Sequence, residues 1–217
     1  MRATRAIVWL PVVLAASFPI GVLTAWAAVL PGRGMPSREV SQPSVPRVPA
    51  STTTISPAFT PEVQHWDSNI VRWAGEYDLP ADLIATVMQI ESCGHPEVES
   101  TAGAIGLFQV MPFHFGAGED PRLPEVNAAR GLSYLARGFE LASGELGLTL
   151  AGYNGGHGMI TRPAAVWPFE TQRYVSWGSR ILEDIRTGLI PSPGLAAWLE
   201  AGGASLCRRA AAALGID

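Results

Sequence analysis

The order of apolar and polar positions divides the chain into three stretches. Residues 6 to 30 carry no charged side chain. From Pro31 to Pro61 apolar residues thin out among prolines, serines and threonines, and beyond Pro61 a helical period takes over. There Trp66, Ile70, Trp73 and Tyr77 recur at spacings of four, three and four, which is one face of an α-helix. Pro80 suits the first turn of a second helix whose inner face carries Leu83, Ile84, Val87 and Met88, and Ser92 and Gly94 break it. Residues 95 to 123 are rich in Gly and Pro and read as loops around a short helix or turn, with room for a short β-hairpin in 95 to 110. Pro124 opens a third helix through Ala142 with Leu132, Leu135 and Phe139 inward, and a shorter helix over 145 to 152 stops at Asn154-Gly155-Gly156. A last strong helix runs from Glu170 to Arg186, with Tyr174, Ile181 and Ile185 inward. The Ala-rich tail from Pro191 to Asp217 predicts one more helix, carrying Cys207. Strand-like alternation is scarce and no repeat occurs, so the expected fold is mainly α.

The charge-free run is longer than the roughly 20 helical residues that span the hydrocarbon core of a bilayer. Arg2 and Arg5 before it place the N-terminus in the cytoplasm, a vote that Arg33 and Arg38 after it weaken. Ala25-Trp26-Ala27 offers a small-x-small cleavage site and Pro11 and Pro19 disturb a long helix, so the run reads either as a retained anchor or as a removed signal peptide. Either way the folded part leaves the cytoplasm. The seven prolines from Pro31 through Pro61 favour an extended, disordered spacer that tethers the downstream domain. The expected organisation is a leader over 1–30, a linker over 31–61, a folded domain over 62–187 and a helical tail over 188–217.

Composition narrows the chemistry mainly by exclusion. A formal net charge of -4 with scattered arginines gives no basic stripe for a phosphate backbone, so nucleic acid is not the expected partner. His65, His95, His114 and His157 are scattered and no CxxC or HExxH occurs, so no metal site is expected. Cys93 and Cys207 are compatible with one disulfide in an oxidising exterior, and equally with two unpaired buried thiols.

The informative residue is Glu91. It follows Met88, Val87 and Ile84 by three, four and seven positions, which sets a carboxyl on the apolar stripe of its helix. A carboxyl short of water favours its neutral form, and an acid still protonated near neutral pH is what a general acid must be. The bland alternative is a glutamate at a frayed helix end.

Five blocks weigh on that choice. They are Glu91-Ser92; Ser100 to Pro112, STAGAIGLFQVMP; Asn127-x3-Gly131-x2-Tyr134-Leu135; Ala151-Gly152-Tyr153-Asn154-Gly155-Gly156; and Glu170-Thr171-x2-Tyr174-Val175. In that order the chain resembles the soluble lytic transglycosylase catalytic domains, whose fold is lysozyme-like and related to that of goose-type lysozymes. The resemblance implies that Glu91 is the acid and base, that Ser100, Gln109, Tyr153 and Asn154 line the cleft around the sugar, and that Glu170 has a supporting role. Gly103 and Gly106 suit tight turns that let the backbone approach a ligand. Phe108, Gly152 and Gly156 depart from the family's usual Met, Ala and Ala, which bears on substrate fit. The implied reaction cuts peptidoglycan between N-acetylmuramic acid and N-acetylglucosamine and leaves a 1,6-anhydro end, without metal or cofactor, in the extracytoplasmic envelope. A muramidase that hydrolyses the same bond, and a wall-binding module without catalysis, are the alternatives.

Overall fold

The computed structural model describes residues 53–216; the charge-free run and most of the proline-rich stretch lie outside these residues. The described part is mainly α, as the periodicity requires. α1 (Pro61–Gln64) leads into α2 (Asp67–Tyr77) and α3 (Ala81–Glu91), and α4 (Pro124–Leu141) and α5 (Leu146–Gly155) come after a long loop. α6 (Phe169–Arg186), α7 (Pro193–Trp198) and α8 (Ala204–Leu214) complete the order. No helix among the described residues is long and apolar enough to cross a membrane.

The stripe of α2 packs inward, with Ile70 and Trp73 buried and the Trp66 ring stacked on Trp73 at 6.5 Å. Trp73 meets Phe108 edge-on at 5.9 Å, so α2 is pinned to the loop beyond α3. Every residue of α3 from Leu83 to Gln89 is buried, which makes α3 the axis of the core rather than a surface helix. Each fully buried Leu or Ile there contributes about 1.5–3 kcal/mol of transfer free energy. α5 carries Thr149, Leu150, Ala151 and Gly152 into the same core, and its N-terminus is capped by the Glu145 carboxylate, which accepts from the Gly147 and Leu148 amides.

Two sequence expectations change. The 95 to 110 stretch forms no hairpin; it makes two isolated antiparallel bridges, Glu99 with Ile105 and Ile105 with Val110. Consecutive tight turns, Ser100 to Gly103 and Gly106 to Gln109, reverse the chain too often for a ladder to grow. The tail forms two helices, because the chain between them runs through a π-turn over Leu199–Gly203 in which Gly202 has φ 125°. Leu195, Trp198, Cys207 and Ala210 of this tail share one core with Phe59, Val63 and α3. A disulfide joins Cys93 to Cys207, across a sequence separation of 114.

Candidate active site

Glu91 is the last residue of α3, where the helix axis emerges from the core. After it the backbone turns away through Ser92, Cys93 at φ 52° and Gly94 at φ 80°. The Ser92 hydroxyl fixes this exit by donating to the Leu107 carbonyl at 2.7 Å, which ties the end of α3 to the turn loop. Glu91 thereby opens into a cavity of about 430 Å³ lined also by Ser100, Gln109, Tyr153, Asn154 and Glu170. The residues singled out from sequence converge on one cavity, with the exception of Gly103 and Gly106, which shape the loop behind it with φ of +86° and +78°. At Gly106 a side chain would be strained and would force Asn127 to move: an added Cβ would lie 2.4 Å from the Asn127 amide nitrogen.

The loop is held by side chains rather than by a sheet. Asn127, on α4, accepts from the Phe108 amide at 2.9 Å and donates to the carbonyls of Ile105 and Pro121 at 2.8 and 3.0 Å. Ser100 Oγ accepts from the Ala104 amide at 3.0 Å. Gln109 sits at φ 46°, and its amide nitrogen donates to the carbonyls of Val98 and Gly106, both at 3.1 Å, so its side-chain oxygen is left for the cavity.

The Glu91 carboxyl is pushed up to about 8, first by burial, and further by the negative charge of Glu170; Tyr174 pulls the other way. It retains only partial access to solvent, through the cavity. The Tyr174 hydroxyl is buried and has no hydrogen-bond partner within 3.5 Å, so its pull on Glu91 is that of a nearby dipole in a dry site. Tyr153 commits its proton elsewhere, donating to the Phe108 carbonyl at 2.7 Å. Burial and the charge of Glu91 hold both phenols well above their ordinary range, so both stay neutral.

The sequence pattern placed Tyr174 only among the inward residues of its helix, although its spacing of four from Glu170 puts the two on one face of α6. It also missed His114, Arg130 and Tyr134 in the cavity wall, where the rings of His114, Tyr134 and Tyr153 succeed one another at 5.7 and 5.9 Å. Among the described residues the grouping of Cys and acidic ligand atoms nearest to a metal geometry is Glu62, Cys93 and Cys207, and its two sulfurs are bonded to each other.

The stretch from residue 68 to residue 166 matches the family described as Transglycosylase SLT domain. The matched stretch contains Glu91, the turn loop, α4 and α5, while Glu170 and Tyr174 on α6 lie just beyond it. A membrane-bound lytic murein transglycosylase E of Buchnera aphidicola is 34% identical to the chain over 55 residues, a quarter of each protein. Among solved structures, an inactive mutant of lytic transglycosylase Slt from Pseudomonas aeruginosa aligns at 24% identity and a TM-score of 0.45, over 58% of this chain and 24% of that one. The 70-kDa soluble lytic transglycosylase of Escherichia coli aligns at 25% identity and a TM-score of 0.46, over 58% and 25%. The chain therefore spans about a quarter of the length of these relatives.

Proposed function

We propose that the chain is a peptidoglycan lytic transglycosylase with Glu91 as its acid and base. The observation that carries this reading is a carboxyl held up to about 8 at the wall of a cavity where Ser100, Gln109, Tyr153 and Asn154 offer neutral polar groups. A protonated Glu91 gives its proton to the oxygen between N-acetylmuramic acid and N-acetylglucosamine as that bond breaks. The acetamido group of the substrate shares the positive charge that develops at C1. The Glu91 carboxylate then takes the proton of the muramic C6 hydroxyl, whose oxygen closes on C1, so the carboxyl ends as it began and a 1,6-anhydro product leaves. An attack within one molecule has effective concentrations on the order of 10⁵ M or more when well oriented, so it outruns water in a dry cleft.

Glu170 in the same cavity favours one rival, a muramidase in which a second carboxylate directs water. Mass spectrometry of digested peptidoglycan separates the two: anhydro ends are expected, and free reducing ends would replace transglycosylation by hydrolysis. Glu91→Gln is expected to lower the rate by at least about 10²-fold. A variant that lyses purified sacculi as fast as the parent would leave only a wall-binding role. The Cys93–Cys207 bond suits an oxidising compartment, and with the charge-free run at residues 6–30 it supports action outside the cytoplasm on glycan strands, from a membrane anchor or after export.

A further inference from the structure

The cavity that holds Glu91 takes a second carboxylate, Glu170, from α6, and Arg130 on α4 is the only arginine or lysine among the described residues that line it. Arg130 occupies an open position of the Asn127-x3-Gly131 block, so the resemblance gives it no role. Its neighbour Gly131 lies against Tyr153, where an added Cβ would stand 3.3 Å from the hydroxyl oxygen, and the charge of Glu91 acts on that same phenol. The guanidinium is held from one edge only. Its Nε donates to one oxygen of Glu119 at 2.9 Å and its Nη2 to the other at 2.6 Å, while the Gly116 amide donates to the Glu119 carboxylate at 2.7 Å. Nη1 and the second N–H of Nη2 have no partner among the described residues. That leaves the end of the fork, an edge that can meet a second carboxylate in a bidentate pair.

We propose that Arg130 is a specificity-determining residue that binds a carboxylate on the lactyl-peptide branch of muramic acid. The inference rests on the glycan reading above and deepens it. In the alternating glycan only muramic acid carries that branch: its lactyl ether ends in a carboxyl, either free or joined to a peptide that has carboxylates of its own. An anion in the cavity is repelled by Glu170 and drawn to Arg130, so the acidic branch settles on the α4 side. Glu119 does not cancel this role. It takes one edge of a side chain that is 42% exposed, so a new carboxylate reaches the other edge without first breaking the existing pair. A mere clamp between α4 and the turn at 116–119 would be indifferent to the charge of the substrate.

The test is cleavage, by the full chain, of soluble glycan strands in four forms: stem-free and stem-bearing, each with its carboxyls free or converted to carboxamides. The parent is expected to prefer the free acids about three- to fivefold in kcat/KM, mainly through KM, which is the size of a half-exposed ion pair. The preference shrinks at high salt. Arg130→Gln abolishes it by lowering kcat/KM on the acids alone, and Arg130→Lys restores part of it. Glu119→Gln breaks the same clamp but leaves the cation, and retains the preference. A preference confined to stem-bearing strands assigns the carboxylate to the peptide, and one already present in stem-free strands assigns it to the lactyl group. Equal losses on acids and amides in Arg130→Gln, or loss of the preference in Glu119→Gln as well, overturns the assignment. A parent that cleaves all four forms alike also overturns it but leaves the glycan reading standing, whereas a parent that cleaves none defeats that reading first.

Discussion

At the scale of single residues, the protonation of Glu91 is a balance of three influences with different signs. Burial raises its pKa and dominates, Glu170 raises it further by charge, and Tyr174 lowers it by stabilising the carboxylate. A free enzyme that needs the acid form loses kcat/KM as pH rises through about 8, with a slope of about tenfold per pH unit. The two neighbours then make opposite predictions. Tyr174→Phe removes the stabilising dipole and moves the alkaline limb of the pH profile to higher pH. Glu170→Gln removes the like charge and moves it to lower pH. If both variants shift the limb in the same direction, the assignment of that limb to Glu91 is wrong.

At the scale of elements, the site depends on a loop of little regular structure clasped by one helix. Asn127 on α4 supplies three of the hydrogen bonds that hold residues 105 to 121, and it is fully buried. Asn127→Ala leaves the Phe108 amide and the Ile105 carbonyl without those partners, and is expected to cost about 2–4 kcal/mol in denaturant unfolding. Because Gln109 rides on that loop, the same variant should lose turnover at temperatures where it is still folded; full activity would mean that the loop holds its shape unaided. The helices themselves were legible because their stripes are local: Trp66, Ile70 and Trp73 declare α2, and Ile84, Val87 and Met88 declare both α3 and the inward aim of Glu91. The resemblance in the five blocks then named the cavity residues. What no local pattern encodes is pairing at long range, such as Thr171 with Asn154 or Ser92 with Leu107. The hairpin gave way for a similar reason, since closely spaced turns confine pairing to the isolated bridges at Ile105 while the Phe108 amide is taken by a side chain from α4.

At the scale of the molecule, the C-terminal tail is stapled to the helix that presents the acid: Cys93 stands two residues after Glu91 and its partner Cys207 lies on α8. A closed loop of this length restricts the unfolded chain strongly, so Cys93→Ser with Cys207→Ser, or reduction, should lower stability by about 2–4 kcal/mol, read from the denaturant midpoint. The second global effect comes from Glu91 itself and has the opposite sign, because a carboxyl kept neutral by burial costs stability. In the folded chain Glu91 holds its proton to about 8, whereas unfolded it releases it near 4.5. Between those values the unfolded chain binds fewer protons, so stability falls as pH rises through that window. At pH 7 the cost is about 3 kcal/mol. Glu91→Gln replaces the acid by a neutral group of the same shape and removes the titration. Its stability relative to the parent should therefore be near zero below pH 4.5, grow as pH rises and level off above about 8. The contributions of carboxylates remote from Glu91 cancel in that difference, so a gap between the two proteins that stays constant across the window would show that Glu91 is charged in the fold, and the acid role would go with it.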